Sequence, residues 1–183
     1  MSGGAHVDPS NKKIALQIAI LAVVLAFSET LGKGAQTAAL SYNIEASNLW
    51  SFFQAKTLRQ TTMRTAAEAL EAQFGDKAPE AVRKQIDTWK KTAERYQSEP
   101  ETNEGRKELA ARAKKAEEKR DKSLAAYHHY EVASAAVQIA IVLASAEVIT
   151  SVIALGWASA ALGVAAVGFC LIGYFWPMSV HLF

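Results

Sequence analysis

Residues 131–183 read EVASAAVQIAIVLASAEVITSVIALGWASAALGVAAVGFCLIGYFWPMSVHLF, without a Lys or an Arg. Only two carboxylates, Glu131 and Glu147, interrupt the stretch. A hydrocarbon core about 30 Å thick takes about 20 apolar helical residues to cross. This stretch therefore reads as two membrane helices, over residues 131–155 and 158–176, with Leu155-Gly156-Trp157 as a tight turn and Pro177 as a stop. Residues 177–183 form a short tail.

Toward the N-terminus, Lys12 and Lys13 precede a third apolar run over residues 14–31, behind a tail of residues 1–13. A cleaved signal peptide also begins with positive charge. The length of the run, and the lack of a small-x-small site before a polar start, favour a membrane span. Tyr127 and Tyr130 at the start of the second span, and Tyr174 and Trp176 at the end of the third, fall on one expected interface. Trp157 falls on the other. Tyr and Trp suit interfaces because their rings are apolar and their tips polar.

The whole-chain averages, 50% hydrophobic with net charge +2, hide a three-block layout. Charge lies mainly between Lys56 and Lys122. The balance of signs gives no reason to expect nucleic acid as a partner. A single cysteine, Cys170, cannot form an intrachain disulfide. Residues 32–130 read as helix throughout. Leu49, Phe53, Lys56, Gln60, Met63, Ala67, Leu70 and Phe74 recur at alternating spacings of three and four, a coiled-coil seam with two polar interruptions. Phe74-Gly75-Asp76 ends it; Asp76 is expected to cap the next helix, with Pro79 in its first turn. Val82, Ile86, Trp89, Ala93 and Tyr96 continue the spacing, and residues 98–105 form a loop. Leu109, Ala113, Ala116 and Leu124 then lead into the second span. At 1.5 Å per residue, residues 33–74 rise about 60 Å, and residues 80–97 plus 104–130 about 65 Å. One long helix against two in series is therefore expected, with a folded-back three-helix bundle as the alternative. The fold class is all-α: three transmembrane helices with a long helical, coiled-coil-like stalk between spans one and two.

The segments NIEASNLWSFFQAKTLRQ (43–60), SETLGK (28–33) and VQIAIVLAS (137–145) resemble a bacterial membrane family known as domain of unknown function 4337. The resemblance implies a bacterial inner-membrane protein with this three-span layout. It implies no reaction, ligand or catalytic residue. Many relatives carry basic residues between spans two and three, and this chain has none there. Lys12 and Lys13 argue for a cytoplasmic N-terminus, whereas the basic run from Arg112 to Lys122 argues for a cytoplasmic middle block. The first helix usually dominates, and long loops translocate largely regardless of charge. The expected orientation is thus a cytoplasmic N-terminus with the stalk and C-terminus in the periplasm.

Glu147 is the sharpest anomaly, because a charge in a span costs about 2.5–3.5 kcal/mol on insertion scales. It is protonated, paired between helices, or close enough to the far interface to reach water; a proton or cation site is the functional alternative. Glu29 precedes Lys33 by four residues, the favoured order for a helical ion pair. Gln17-Ile18-Ala19-Ile20 recurs as Gln138-Ile139-Ala140-Ile141, too short a match to establish a transporter repeat. Ala136, Ala140 and Ala144 make a small-residue face for close helix approach, first against Gly163 and Gly168 of the third span, with self-association as the second reading. Trp50, Phe52 and Phe53, with Lys56 and Arg59 nearby, are either seam residues or a partner-binding patch. His128 and His129 diverge on a helix, and His6 and His181 lie at opposite ends, so no metal is expected. No catalytic residues and no cofactor are expected. The leading expectation is a non-enzymatic, self-assembling inner-membrane protein, a homo-oligomer in contact with lipids, whose stalk is either a spacer or an arm that docks a protein partner. An oligomeric channel or proton conductor using Glu147 is the alternative.

Overall fold

The computed structural model describes residues 9–180, with side chains from Lys12 onward. His6, His181 and the outer parts of the two expected tails lie outside the described residues. Four α-helices, α1 (Pro9–Phe74), α2 (Glu80–Gln97), α3 (Arg106–Thr150) and α4 (Ile153–Phe175), are joined by a 3-10 turn at Gly75–Lys77 and short connections. The described residues hold no strand, so the protein is all-α.

Proline placement explains the helix boundaries. Pro9 is the first residue of α1, Pro79 is the N-cap of α2, Pro100 lies in the α2–α3 loop and Pro177 follows α4. None sits where a missing N–H would break a helix interior. α1 runs unbroken for 66 residues, since Gly32 and Gly34 each cost only about 1 kcal/mol relative to Ala. It ends at Gly75, whose φ of +49° suits glycine. Asp76 does not cap α2 as expected. It lies in the 3-10 turn, and no side chain caps α2. Arg83 reaches back instead, donating to the carbonyls of Ala78 (3.0 Å) and Asp76 (2.6 Å).

Contacts divide the chain into two units: Ser41–Arg120, and the remainder on either side of it. Within 41–120, every member of the seam from Leu49 to Phe74 is buried or half-buried. Ala46 and Leu49 pack with Leu109, Ala113 and Ala116 of α3, flanked by Trp50, Phe52 and Phe53. Farther along α1, Gln60 bonds to Ala93 and Gln97 of α2, and Glu71 pairs with Lys90 at 2.5 Å. Later residues of α1 thus meet earlier residues of α2 and α3, giving one long helix against two in series. The loop between them spans residues 98–105, as expected. The Glu108 carboxylate holds it, accepting from Ser98 Oγ (2.6 Å) and Glu99 N (3.1 Å). Those bonds lower the Glu108 pKa below its ordinary value, with the Ser98 contact the largest cause.

The other unit is a bundle of α1, α3 and α4. Its core is Leu21, Ala133, Val137, Ala140 and Ala166, flanked by Val24, Leu25, Ala136, Ile141, Leu162, Phe169 and Cys170. Most of the interior is small, and many of the larger aliphatic and aromatic side chains point outward: Leu16, Ile20, Phe27, Val142, Ile149 and Trp157 are all more than half exposed. Ser28 and Ser159, by contrast, are fully buried. α1, α3 and α4 are each long and apolar enough to cross a membrane.

Four local expectations are corrected here. The α3–α4 turn lies at Ser151–Val152, with Ser151 at φ +55°; Leu155-Gly156-Trp157 belongs to α4. Gly156 is small because a Cβ there would stand 2.6 Å from Glu147 Cδ, and so marks a close approach rather than a bend. Tyr130 is packed between helices rather than turned outward: its Cβ faces Gly32 and its ring edge faces Gly173. The buried stripe of α3 is Ala133, Val137, Ala140 and Ala144, with Ala136 only half-buried at its edge. Gly163 meets Leu21 of α1, where an added Cβ would be 2.7 Å from Leu21 Cδ2, and Gly168 has nothing within 4 Å.

Candidate functional site: polar recesses on a small-residue bundle

Glu147 lies in the last turn of α3, against the first turns of α4. It shares a recess of about 280 Å³ with Lys13, Gln17, Gly156 and Trp157. Positive helix-dipole charge at the start of α4 favours a carboxylate there, and Lys13 adds a cation to the same recess. Sequence order concealed both, because Lys13 precedes Glu147 by the whole intervening chain. Beside the recess, Gln17 Nε2 donates to Ser159 Oγ (2.9 Å) and Gly156 O (3.2 Å). Ser159 Oγ in turn donates to Ala140 O at 2.7 Å. One hydrogen-bonded chain therefore ties α1, α4 and α3. Neither Gln17 nor Ser159 was singled out for this role; only a buried polar position opposite small residues could have signalled it.

Glu29 opens into a different recess, between α1 and α3, of about 410 Å³. Lys33, Gln36, Tyr127, Glu131 and Gln138 line it too. The expected Glu29–Lys33 ion pair is not formed among the described residues. Both side chains are exposed, where such a pair contributes only a few tenths of a kcal/mol, about 0.3–0.5. Tyr127 donates to Glu131 at 3.3 Å. The adjacent Glu131 carboxylate raises the phenol's pKa above its usual value. Gln138 is exposed and makes no hydrogen bond among the described residues. Its counterpart in the repeated tetrapeptide, Gln17, is fully engaged.

In residues 41–120 the aromatic cluster is turned to intrachain use. Trp50 Nε1 donates to Glu117 at 2.9 Å and its ring meets Phe53 edge-on. Lys56 is 6% exposed. It pairs with Glu99 (3.4 Å) and Glu104 (3.9 Å), and lies over the rings of Phe52 and Tyr96. Arg106 donates to Thr57, Gln97 and Gln60, and stacks on Phe53. Sequence reasoning missed Arg106 because its partners sit on another helix. Arg59 alone of the five predicted residues is exposed.

His129 is buried, with Nε2 3.3 Å from Pro177 O and its ring stacked on Phe169. It fixes the end of α4 against α3.

These features define an all-helical protein with three helices able to span a membrane and a separate helical unit inserted between the first and second. Residues 10–176 match the family described as domain of unknown function (DUF4337), and the chain belongs to that family. No curated protein and no solved structure matches the chain.

Proposed function

We propose that this is a non-enzymatic membrane protein that assembles with copies of itself through the α1–α3 face. Residues 41–120 serve as an extramembrane arm. The observation that carries the proposal is Gln138. An exposed amide in an apolar span loses its water bonds and gains none from lipid, so it favours a partner helix. The recess beside it holds Glu29 and Glu131 together with Lys33. Two copies related by a two-fold axis could cross-pair these charges while the Gln138 amides meet. A structural role is also supported by how the buried polar groups are used. Gln17, Ser159, Lys56 and Gln60 are all engaged in holding helices together.

The bacterial inner membrane remains part of this proposal through the family resemblance, and the arm in the periplasm through Lys12 and Lys13, which favour a cytoplasmic N-terminus. A conducting role for Glu147 draws less support, since its carboxylate lies at a helix end beside Lys13. The test is the particle mass of the full-length protein in mild detergent. We expect a dimer or larger, and Gln138→Leu should shift it toward monomer without loss of helicity. A wild-type monomer would overturn the assembly proposal. Failure of the chain to float with lipid vesicles would overturn the membrane proposal itself.

A further inference from the structure

A third recess, of about 390 Å³, lies where α1, α3 and the end of α4 meet. Lys122, Ala126 and Tyr130 line it from one face of α3, with Ser123 alongside. Leu31, Gly34 and Ala35 line it from α1, and Gly173, Tyr174 and Pro177 from the α4 end. No carboxylate is among its lining residues, in contrast to the Glu147 recess and to the α1–α3 recess.

Four of its side chains are hydrogen-bond donors with no hydrogen bond among the described residues: the Lys122 ammonium, the Ser123 hydroxyl, the Tyr130 phenol and, at the rim, the Tyr174 phenol. Tyr130 is 4% exposed, with its Cβ at Gly32 and its ring edge at Gly173, so the ring is directed toward the α4 side of the recess. The Tyr130 hydroxyl is not among the buried polar atoms left without a partner, so it is open to an acceptor entering the recess. One wall is left open by Gly34, where an added Cβ would meet nothing within 4 Å.

We infer that this recess binds the phosphodiester headgroup of an anionic phospholipid. One ammonium and two hydroxyls match a singly charged phosphate oxygen set. Leu31, Ala35 and Pro177 supply apolar walls, and Tyr174 (66% exposed) stands at the rim. Those surroundings suit acyl chains and an interfacial ring rather than a water-borne anion. The inference rests on the membrane proposal but is independent of self-assembly.

The experiment measures lipid retained by the full-length protein from mixed micelles of phosphatidylglycerol and phosphatidylcholine, with inorganic phosphate as competitor. Wild type should retain phosphatidylglycerol about fivefold over phosphatidylcholine, the ratio equivalent to about 1 kcal/mol per lysine near an anionic surface. Lys122→Gln and Tyr130→Phe should each reduce that preference. Gly34→Leu should abolish it by filling the recess while leaving helicity intact. Equal retention of the two lipids by wild type overturns the inference, as does undiminished preference in Gly34→Leu. Displacement of the lipid by inorganic phosphate would make this a free-anion site and overturn the lipid assignment. Protein that retains both lipids equally still satisfies the membrane proposal, whereas protein that retains neither fails both.

Discussion

The helices of residues 41–120 and those of the flanking unit both bury alanines among a few larger apolar side chains, but they differ in what they leave exposed. In 41–120, Leu109 is completely buried, with Trp50, Phe52 and Phe53 packed around its cluster, and the large apolar residues left exposed are Ile44 and Leu58. In the flanking unit the interior is chiefly Ala, Gly and Ser, while Ile20, Phe27, Val142, Ile149 and Val164 face outward. On the membrane proposal, two solvents account for this contrast. Water drives Leu109 inward, because burying a leucine contributes about 1.5–3 kcal/mol. Lipid tails solvate leucine as well as a protein interior does, so helices placed in lipid gain from close backbone approach and interhelical hydrogen bonds instead. On that proposal the Gln17–Ser159–Ala140 chain and the Gly163–Leu21 contact supply both.

The sharpest way to break this comparison is to shorten side chains in both units. Leu109→Ala should destabilise residues 41–120 by about 2–5 kcal/mol, the range for a fully buried leucine. Ile149→Ala in the flanking unit removes a side chain that is 85% exposed and should leave packing unchanged. Amide hydrogen exchange of the full-length protein in nanodiscs reads both. Equal loss of protection in the two variants would refute the two-solvent account.

Enlarging side chains should reverse the asymmetry. Gly163→Leu forces a Cβ into a site 2.7 Å from Leu21 Cδ2, and overpacking of this sort costs about 1–3 kcal/mol. Gly168→Leu, five residues along the same helix, adds its Cβ to open space and should cost nothing measurable. Thermal unfolding in detergent compares the two, and a shift in Gly168→Leu as large as that in Gly163→Leu would mean that both glycines face protein.

Much of this contrast was legible in the sequence, and the exceptions share a cause. The seam from Leu49 to Phe74 and the 98–105 loop were readable because periodicity, Gly and Pro act locally. Gly156 was misread as a turn because glycine's scarcity in helices is a local rule, whereas its role is to clear space for Glu147 from another helix. Tyr130 looked interfacial for the same reason. Its burial depends on Gly32 and Gly173, on two other helices. Ala136 was placed on the buried stripe by spacing alone, since a 3.6-residue period does not reveal which neighbouring row faces inward. Gln138 was visible as half of a repeat, but only the three-dimensional neighbours distinguish it from Gln17.

Lys56 tests whether polar groups in the 41–120 interior set stability or only geometry. Its ammonium reaches Glu99 and Glu104, which are 20% and 50% exposed at their side chains and can rehydrate. Arg95 also lies 3.6 Å from Glu99. Lys56→Met keeps the length of the side chain and its contact with the Phe52 and Tyr96 rings. It should therefore change stability by less than about 1 kcal/mol, in keeping with the near-neutral exchange of ion pairs for apolar residues. Chemical denaturation followed by Trp fluorescence measures it. A loss comparable to Leu109→Ala would show that the polar interruption is itself a stabilising element.

The smallest expected effect is confined to the α2–α3 loop. The Glu108 carboxylate accepts from Ser98 Oγ and Glu99 N, and its pKa is lowered in the folded chain from an ordinary value of 4.5. A lowered folded pKa means the ionised form is the one the fold favours. Its contribution is therefore fully present above the unfolded value and is lost as pH falls through the lower folded value. Acidification should first speed exchange of the Glu99 amide, ahead of amides in the Leu109 cluster. Glu108→Gln should reproduce part of that loss at neutral pH and flatten its acid dependence. The bundle of α1, α3 and α4 should show no matching transition from this group, so simultaneous acid opening of both units would assign the pH response to some other carboxylate.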